Sequence, residues 1–154
     1  MDTMGAIFAH TYKIAKGQAL VETLLAAGNY PASASYIDVS GCERFHVLIH
    51  LGTIHANDVP IFEIKQAEAV NGTLDVISAT YAKHTCAADD DGEFVLFTIE
   101  VDKLATDHHF VSCVVSGVTN GSYADIFFLL PETTLPVTQT TAVCPTASQY
   151  EYVG

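Results

Sequence analysis

Positive charge is scarce in this sequence: six Lys and Arg stand against eighteen Asp and Glu, a formal net charge of −12 over 154 residues. Following a nucleic-acid backbone needs concentrated cationic charge, so the balance argues against that class of partner, and an anionic membrane surface would repel the chain as well. Long hydrophobic runs are missing too. No stretch approaches the roughly 20 apolar residues of a membrane-spanning helix. The opening Met1-Asp-Thr-Met-Gly-Ala-Ile-Phe-Ala-His10 lacks the basic start and continuous apolar core of a secretion signal. Synthesis in the cytoplasm is the expectation. Close-set cysteines are also absent, since Cys42, Cys86, Cys113 and Cys144 occur singly. That spacing argues against a zinc knuckle or a redox pair and for free thiols, with Cys113 in the core because it lies inside an apolar run.

The familiar marks of catalysis are lacking as well. There is no Gly-x-Ser-x-Gly elbow, no phosphate-cradling glycine loop and no His-Glu-x-x-His helix, so no catalytic residue and no cofactor is expected. Seven histidines invite a metal hypothesis, yet His46 and His50 sit four apart on one strand, about 13 Å from each other. They cannot share one ion without a bend, and His55 follows only in the next loop. His108-His109 reads as a loop edge. Asp89-Asp-Asp91 before Gly92 lacks the alternating ligand spacing and terminal Glu of a calcium loop, so a solvated turn is expected and no metal is assigned.

What the sequence does contain is apolar residues in strand rhythm. Of the whole, 49% is hydrophobic and only 16% charged, an oily balance that implies surface covered by other chains. A chain of this length forms about one domain and typically buries roughly 68–70% of its unfolded surface, enough for a self-sufficient core. Arg44-Phe-His-Val-Leu-Ile-His-Leu51 places Phe45, Val47, Ile49 and Leu51 on one side of an extended chain and His46, Leu48 and His50 on the other. The same alternation recurs, predicting strands over 44–51, 59–67, 76–83, 93–101, 109–118 and 123–130. Residues 93–101 are apolar on both sides, which predicts a central strand. Thr119-Asn-Gly-Ser122 predicts a tight antiparallel hairpin between the last two strands, and residues 102–107 a crossover. The fold class expected is all-β: an antiparallel β-sandwich over residues 36–134, with extended N- and C-terminal arms over 1–35 and 135–154.

The arms are too apolar for freely solvated tails. Spacing from Ala19 to Leu25 would permit a short helix, but Gly17 and the Gly28-Asn-Tyr-Pro31 stop leave little room for one. Pro136 and Pro145 likewise keep the C-terminal segment from being a central strand. Ile7, Phe8, Tyr12, Ile14, Leu20, Leu24, Leu25, Val137 and Val143 are the expected assembly contacts, each worth up to about 1.5–3 kcal/mol if fully buried.

Gly41-Cys-Glu-Arg-Phe-His-Val-Leu-Ile-His-Leu-Gly-Thr-Ile54, Phe62-Glu-Ile-Lys-Gln66, residues 98–101, His109-Phe-Val-Ser-Cys-Val-Val115 and Pro136-Val-Thr-Gln139 follow one another in an order that resembles β-sandwich proteins of tailed-phage virions. The resemblance spans about residues 37–139. It departs at His109-Phe110, where relatives often carry a more basic aromatic segment, and in a longer N-terminal arm. It implies a capsid decoration (cement) protein on the virion surface, a homotrimer whose partners are the major capsid protein and copies of itself, with no catalytic residues. A tail or head-tail connector subunit, or a sandwich that binds carbohydrate or a host surface, is the alternative. Dispersed Tyr30, Tyr36, Tyr81, Tyr123, Tyr150 and Tyr152 do not favour the glycan reading.

Overall fold

The computed structural model describes residues 12–16 as backbone and residues 24–78, 82–87 and 89–131 in full. Ten strands follow in order: β1 (Tyr12–Lys16), β2 (Gly28–Tyr30), β3 (Ile37–Asp38), β4 (Arg44–Leu51), β5 (Ile61–Ala67), β6 (Asp75–Val76), β7 (Lys83–Thr85), β8 (Phe94–Glu100), β9 (Phe110–Ser116) and β10 (Ala124–Pro131). They form two antiparallel sheets. The first runs β1-β10-β4-β8; the second runs β2-β9-β5-β6, with β3 also on β9 and β7 also on β5.

Alternation explains why the sheets stack. In β4 the odd-numbered Phe45, Val47, Ile49 and Leu51 are buried, and in β10 the even-numbered Ile126, Phe128 and Leu130 are. Phe62 and Ile64 of β5 meet them from the second sheet with Val111, Cys113 and Val115 of β9, making one continuous core. Cys113 is therefore a free core thiol, and its desolvation drives its pKa far up. Cys86 is a second buried thiol, while Cys42 is half-buried and its Sγ donates to the Pro131 carbonyl at 3.4 Å. Cys144 lies outside the described residues.

Several expectations change. The segment expected as one strand over 76–83 is instead two short pairings on β5, with Lys65 opposite Val76 and Glu63 opposite Lys83. Two short stretches of the N-terminal segment pair with the sandwich, β1 along β10 and β2 along β9, and β3 also pairs along β9. The predicted hairpin is absent, because β9 lies in the second sheet and β10 in the first. Residues 117–123 cross the end of the sandwich, burying Val118 and Ser122 on the way, and that span is far longer than a two-residue hairpin loop. Residues 101–107 make the corresponding crossover between β8 and β9, as expected from the sequence, through a 3-10 turn over Val101–Lys103.

A single carboxylate fixes the 117–123 crossover. Asp58 is nearly fully buried and accepts hydrogen bonds from the Thr119 N–H at 2.9 Å, the Thr119 hydroxyl at 3.2 Å, the Asn120 N–H at 3.0 Å, the Asn120 side-chain amide at 2.9 Å and the Ser122 hydroxyl at 2.8 Å. Ser122 in turn accepts from the His55 N–H through its hydroxyl and from the Leu25 N–H through its carbonyl. Burial by itself would raise the Asp58 pKa, but these donors outweigh it and hold the carboxyl well below the usual range. Gly117 completes the turn at φ 73°, where a Cβ would run into the Val59 carbonyl oxygen.

Because the folded pKa of Asp58 lies below its ordinary 3.8, its contribution is complete above that value and is lost as the pH falls towards the folded value. Asp58→Asn should therefore melt at a lower temperature at neutral pH and lose less stability than the parent on acidification below about pH 4, both read from thermal unfolding across pH. Gly117→Ala should cost at least the roughly 1–2 kcal/mol of a left-handed backbone, with the carbonyl clash added, as measured by chemical denaturation.

Candidate assembly surface

The face of the first sheet that points away from the core carries apolar side chains among its polar ones. Its apolar outward positions are Leu48 on β4, Phe94 and Leu96 on β8, and Phe127 and Leu129 on β10. Register sets them in rows. Leu96 is opposite Leu48, and Leu48 is opposite Phe127; Thr98, His46 and Leu129 form the next row, and Phe94, His50 and Asp125 the row on the other side. On β1 the Lys16 and Ile14 backbones pair opposite Phe127 and Leu129. Phe94 and Leu96 are 65% and 60% exposed, and among the large apolar side chains of the described residues only Val76, at 60%, is exposed as far as Leu96.

Polar groups on this face are tied to each other. The His50 ring stacks on Phe94 with centroids 4.8 Å apart and places Nδ1 3.6 Å from the Asp125 carboxylate. His46 Nδ1 shares a 2.9 Å hydrogen bond with the Thr98 hydroxyl, and burial, reinforced by the Arg44 charge, lowers its pKa. These two histidines are engaged with different partners on different rows. His108 is elsewhere: it is buried, with Nδ1 2.9 Å from the Thr106 carbonyl and Nε2 3.3 Å from the Asp75 carboxylate. Two acceptors suit a ring carrying both protons, and its pKa is raised, first by the Thr106 carbonyl.

β8 corrects the expectation of a central strand. It pairs with β4 alone among the described residues and ends the sheet. Phe94-Val-Leu-Phe-Thr-Ile-Glu100 contains no Lys or Pro and one charge, so it lacks the devices with which edge strands usually resist further pairing. Period-two alternation on both faces reports two apolar sides and is silent on whether the second is covered within the chain. A flat apolar face beside an open edge can add a strand by backbone hydrogen bonds and bury side chains on a neighbour.

Of the residues expected to make assembly contacts, Leu24 is 54% exposed, beside Gly121. Leu25 is not available to a neighbour: it is buried in the chain's own core, its N–H held by the Ser122 carbonyl. The Tyr12 and Ile14 backbone is paired in β1. Ile7, Phe8, Leu20, Val137 and Val143 lie outside the described residues. Sequence reasoning missed Phe94 and Leu96, and their signal was the second apolar side of 93–101 that had been assigned to burial within the sandwich. Comparison with protein families, curated proteins and solved structures gives no match to this chain.

Neighbouring residues of β8 offer a direct check on the two faces. Leu96→Lys should leave the stability of the isolated chain within about 0.5 kcal/mol, as exposed substitutions usually do. Phe97→Ala, one residue further and buried, should cost about 3–5 kcal/mol, both measured by denaturant unfolding.

Proposed function

We propose that this protein is a non-enzymatic structural subunit that acts by assembly, burying the outer face of its first sheet and the β8 edge against other chains. The observation that carries the reading is the pair Phe94 and Leu96, large apolar side chains left in water on an edge strand that contains no Lys or Pro. Chemistry is not needed for such a role; matched area is.

Area also says how the contact is shared. A face four strands wide and about seven residues long has a projected area of roughly 400 Å², half of the roughly 800 Å² that each partner gives to a standard interface. The arms supply the remainder in this reading. Leu24 and the apolar anchors Val137 and Val143 are the residues proposed to reach neighbours, and Phe94 and Leu96 join them.

Taken with the resemblance of residues 37–139 to tailed-phage virion sandwiches, the assembly proposed is a homotrimer seated on the major capsid protein, a decoration subunit of the virion surface. Closed cyclic symmetry would cover the apolar faces without generating open filaments. The experiment is sedimentation of the purified chain, followed by copy-number measurement on purified, expanded phage heads that lack their own decoration protein. The parent is expected to sediment as a trimer and saturate the heads at a fixed copy number, and a Phe94→Lys, Leu96→Lys chain to remain folded, monomeric and unbound. A parent that stays monomeric at high concentration and never occupies heads would overturn the proposal, as would a double variant that assembles normally.

A further inference from the structure

At the opposite end of the chemistry from the apolar face lies a mixed cluster of three donor atoms. His84 and Cys86 are two residues apart on and just after β7, so alternation sends both side chains to the same side. Phe62, the core residue opposite His84 in register, shows that this is the inward side, at the margin of the sandwich. The loop that follows folds back on itself: the Asp90 N–H donates to the Ala87 carbonyl at 3.4 Å, and the Glu93 N–H donates to the Asp90 carbonyl at 3.1 Å. It thereby carries Asp90 over the two. The Asp90 carboxylate is pinned by the Ala87 N–H at 2.8 Å and lies 3.7 Å from His84 Nε2. The donor atoms of His84, Cys86 and Asp90 all lie within 4.8 Å of one another.

We propose that His84, Cys86 and Asp90 form a zinc site, with water in the fourth position. Nitrogen, sulfur and oxygen donors in one place suit a borderline ion of tetrahedral habit, and bonds of about 2.0–2.3 Å put tetrahedral ligand atoms roughly 3.3–3.7 Å apart. The His84–Asp90 separation is already there. The longest separation in the cluster closes by about 1 Å through side-chain rotation, because His84 is half-exposed at the rim and Asp90 sits on a loop. Asp89, Asp91 and Glu93 flank Asp90 in sequence and give this segment a net negative charge, which favours a cation. The Ala87 N–H bonded to Asp90 is the kind of outer partner that orients a ligating carboxylate.

Ligation has a proton balance. Desolvation, and then the Asp90 charge, push the Cys86 thiol up to about 11, so the metal-free side chain carries its proton at neutral pH. Forming the zinc–sulfur bond breaks the S–H bond and releases that proton to solvent. The ion would tie β7 to the 87–92 loop and close that rim of the sandwich.

The test uses the full-length chain stripped with a chelator, then titrated with zinc and, for spectroscopy, with cobalt(II). Expected are one ion per chain, a raised melting temperature, release of the Cys86 proton, and a thiolate-to-cobalt charge-transfer band with tetrahedral d–d absorption. Cys86→Ser alters a buried position, so His84→Gln and Asp90→Asn, at the exposed rim, serve as the variants that keep the fold; each should weaken zinc by at least the 10–100-fold that outer partners alone typically cost. Loss of the thiolate band in Cys86→Ser, with Cys144→Ser unaffected, would place the sulfur. A parent that binds no zinc would show that the cluster is only a His84–Asp90 ion pair and overturn the proposal. Binding without a thiolate band, or undiminished in the His84→Gln, Asp90→Asn double variant, would overturn it equally.

Discussion

The buried carboxylate of Asp58 is the point on which the two sheets depend. β9 and β10 are interior strands of different sheets, and residues 117–123 are the short passage between them. A passage across the end of a sandwich exposes backbone donors that no ladder satisfies, and buried donors without acceptors are costly. Asp58 takes the donors of Thr119, Asn120 and Ser122 on one side chain, and Ser122 hands the connection on to His55 and Leu25. The loop between β4 and β5, the crossover between β9 and β10, and the N-terminal segment are thus registered to one another by a single charge. Gln66 plays a lesser, neutral version at the other end, accepting from the Ala105 N–H and donating to the Val76 carbonyl.

Much of this was legible in the sequence, and where it was not the reason is physical. The strand over residues 44–51 coincides with β4 because alternation is strict there and one face is wholly apolar. The sandwich class follows from repetition of that pattern. Which sheet each strand joins does not, since alternation defines faces and leaves partners open; Asn120-Gly121 carries the chemistry of a hairpin, yet Asn120 uses its amide on Asp58 sixty-two residues away. The brief pairings of β1, β2 and β3 were hidden for another reason. Segments of two to five residues show too little periodicity to register, and their pairing is decided by the strands they meet.

The candidate sites were legible to different degrees. Leu25 and Leu24 look alike in sequence, yet Leu25, its N–H held by the Ser122 carbonyl, is a core residue and Leu24 an exposed one. The aspartate run of residues 89–91 was visible as a turn, but its two inward-working members were not: Asp91 accepts from the Ile54 N–H at 2.7 Å, and Asp90 leans over His84 and Cys86. His84-Thr-Cys86 was within reach of strand alternation. Yet the strand expected over 76–83 ends one residue before His84, which leaves His84-Thr-Cys86 outside the alternating pattern and its pairing on β5 unmarked.

The sheet order has a consequence for the birth of the molecule on the ribosome. β10 separates β1 from β4 in one sheet, and β9 separates β2 from β5 in the other, so both interior seams are supplied by the last twenty-two described residues. As the chain emerges at about 5–20 residues per second, β4 and β5 stand without their inner neighbours until those residues appear, and pairing of distant segments is intrinsically slow. Neither sheet can be completed in part. Before β9 and β10 emerge only the β4–β8 pairing and the short pairings of β6 and β7 on β5 are available, so closure of both sheets waits for the same final stretch.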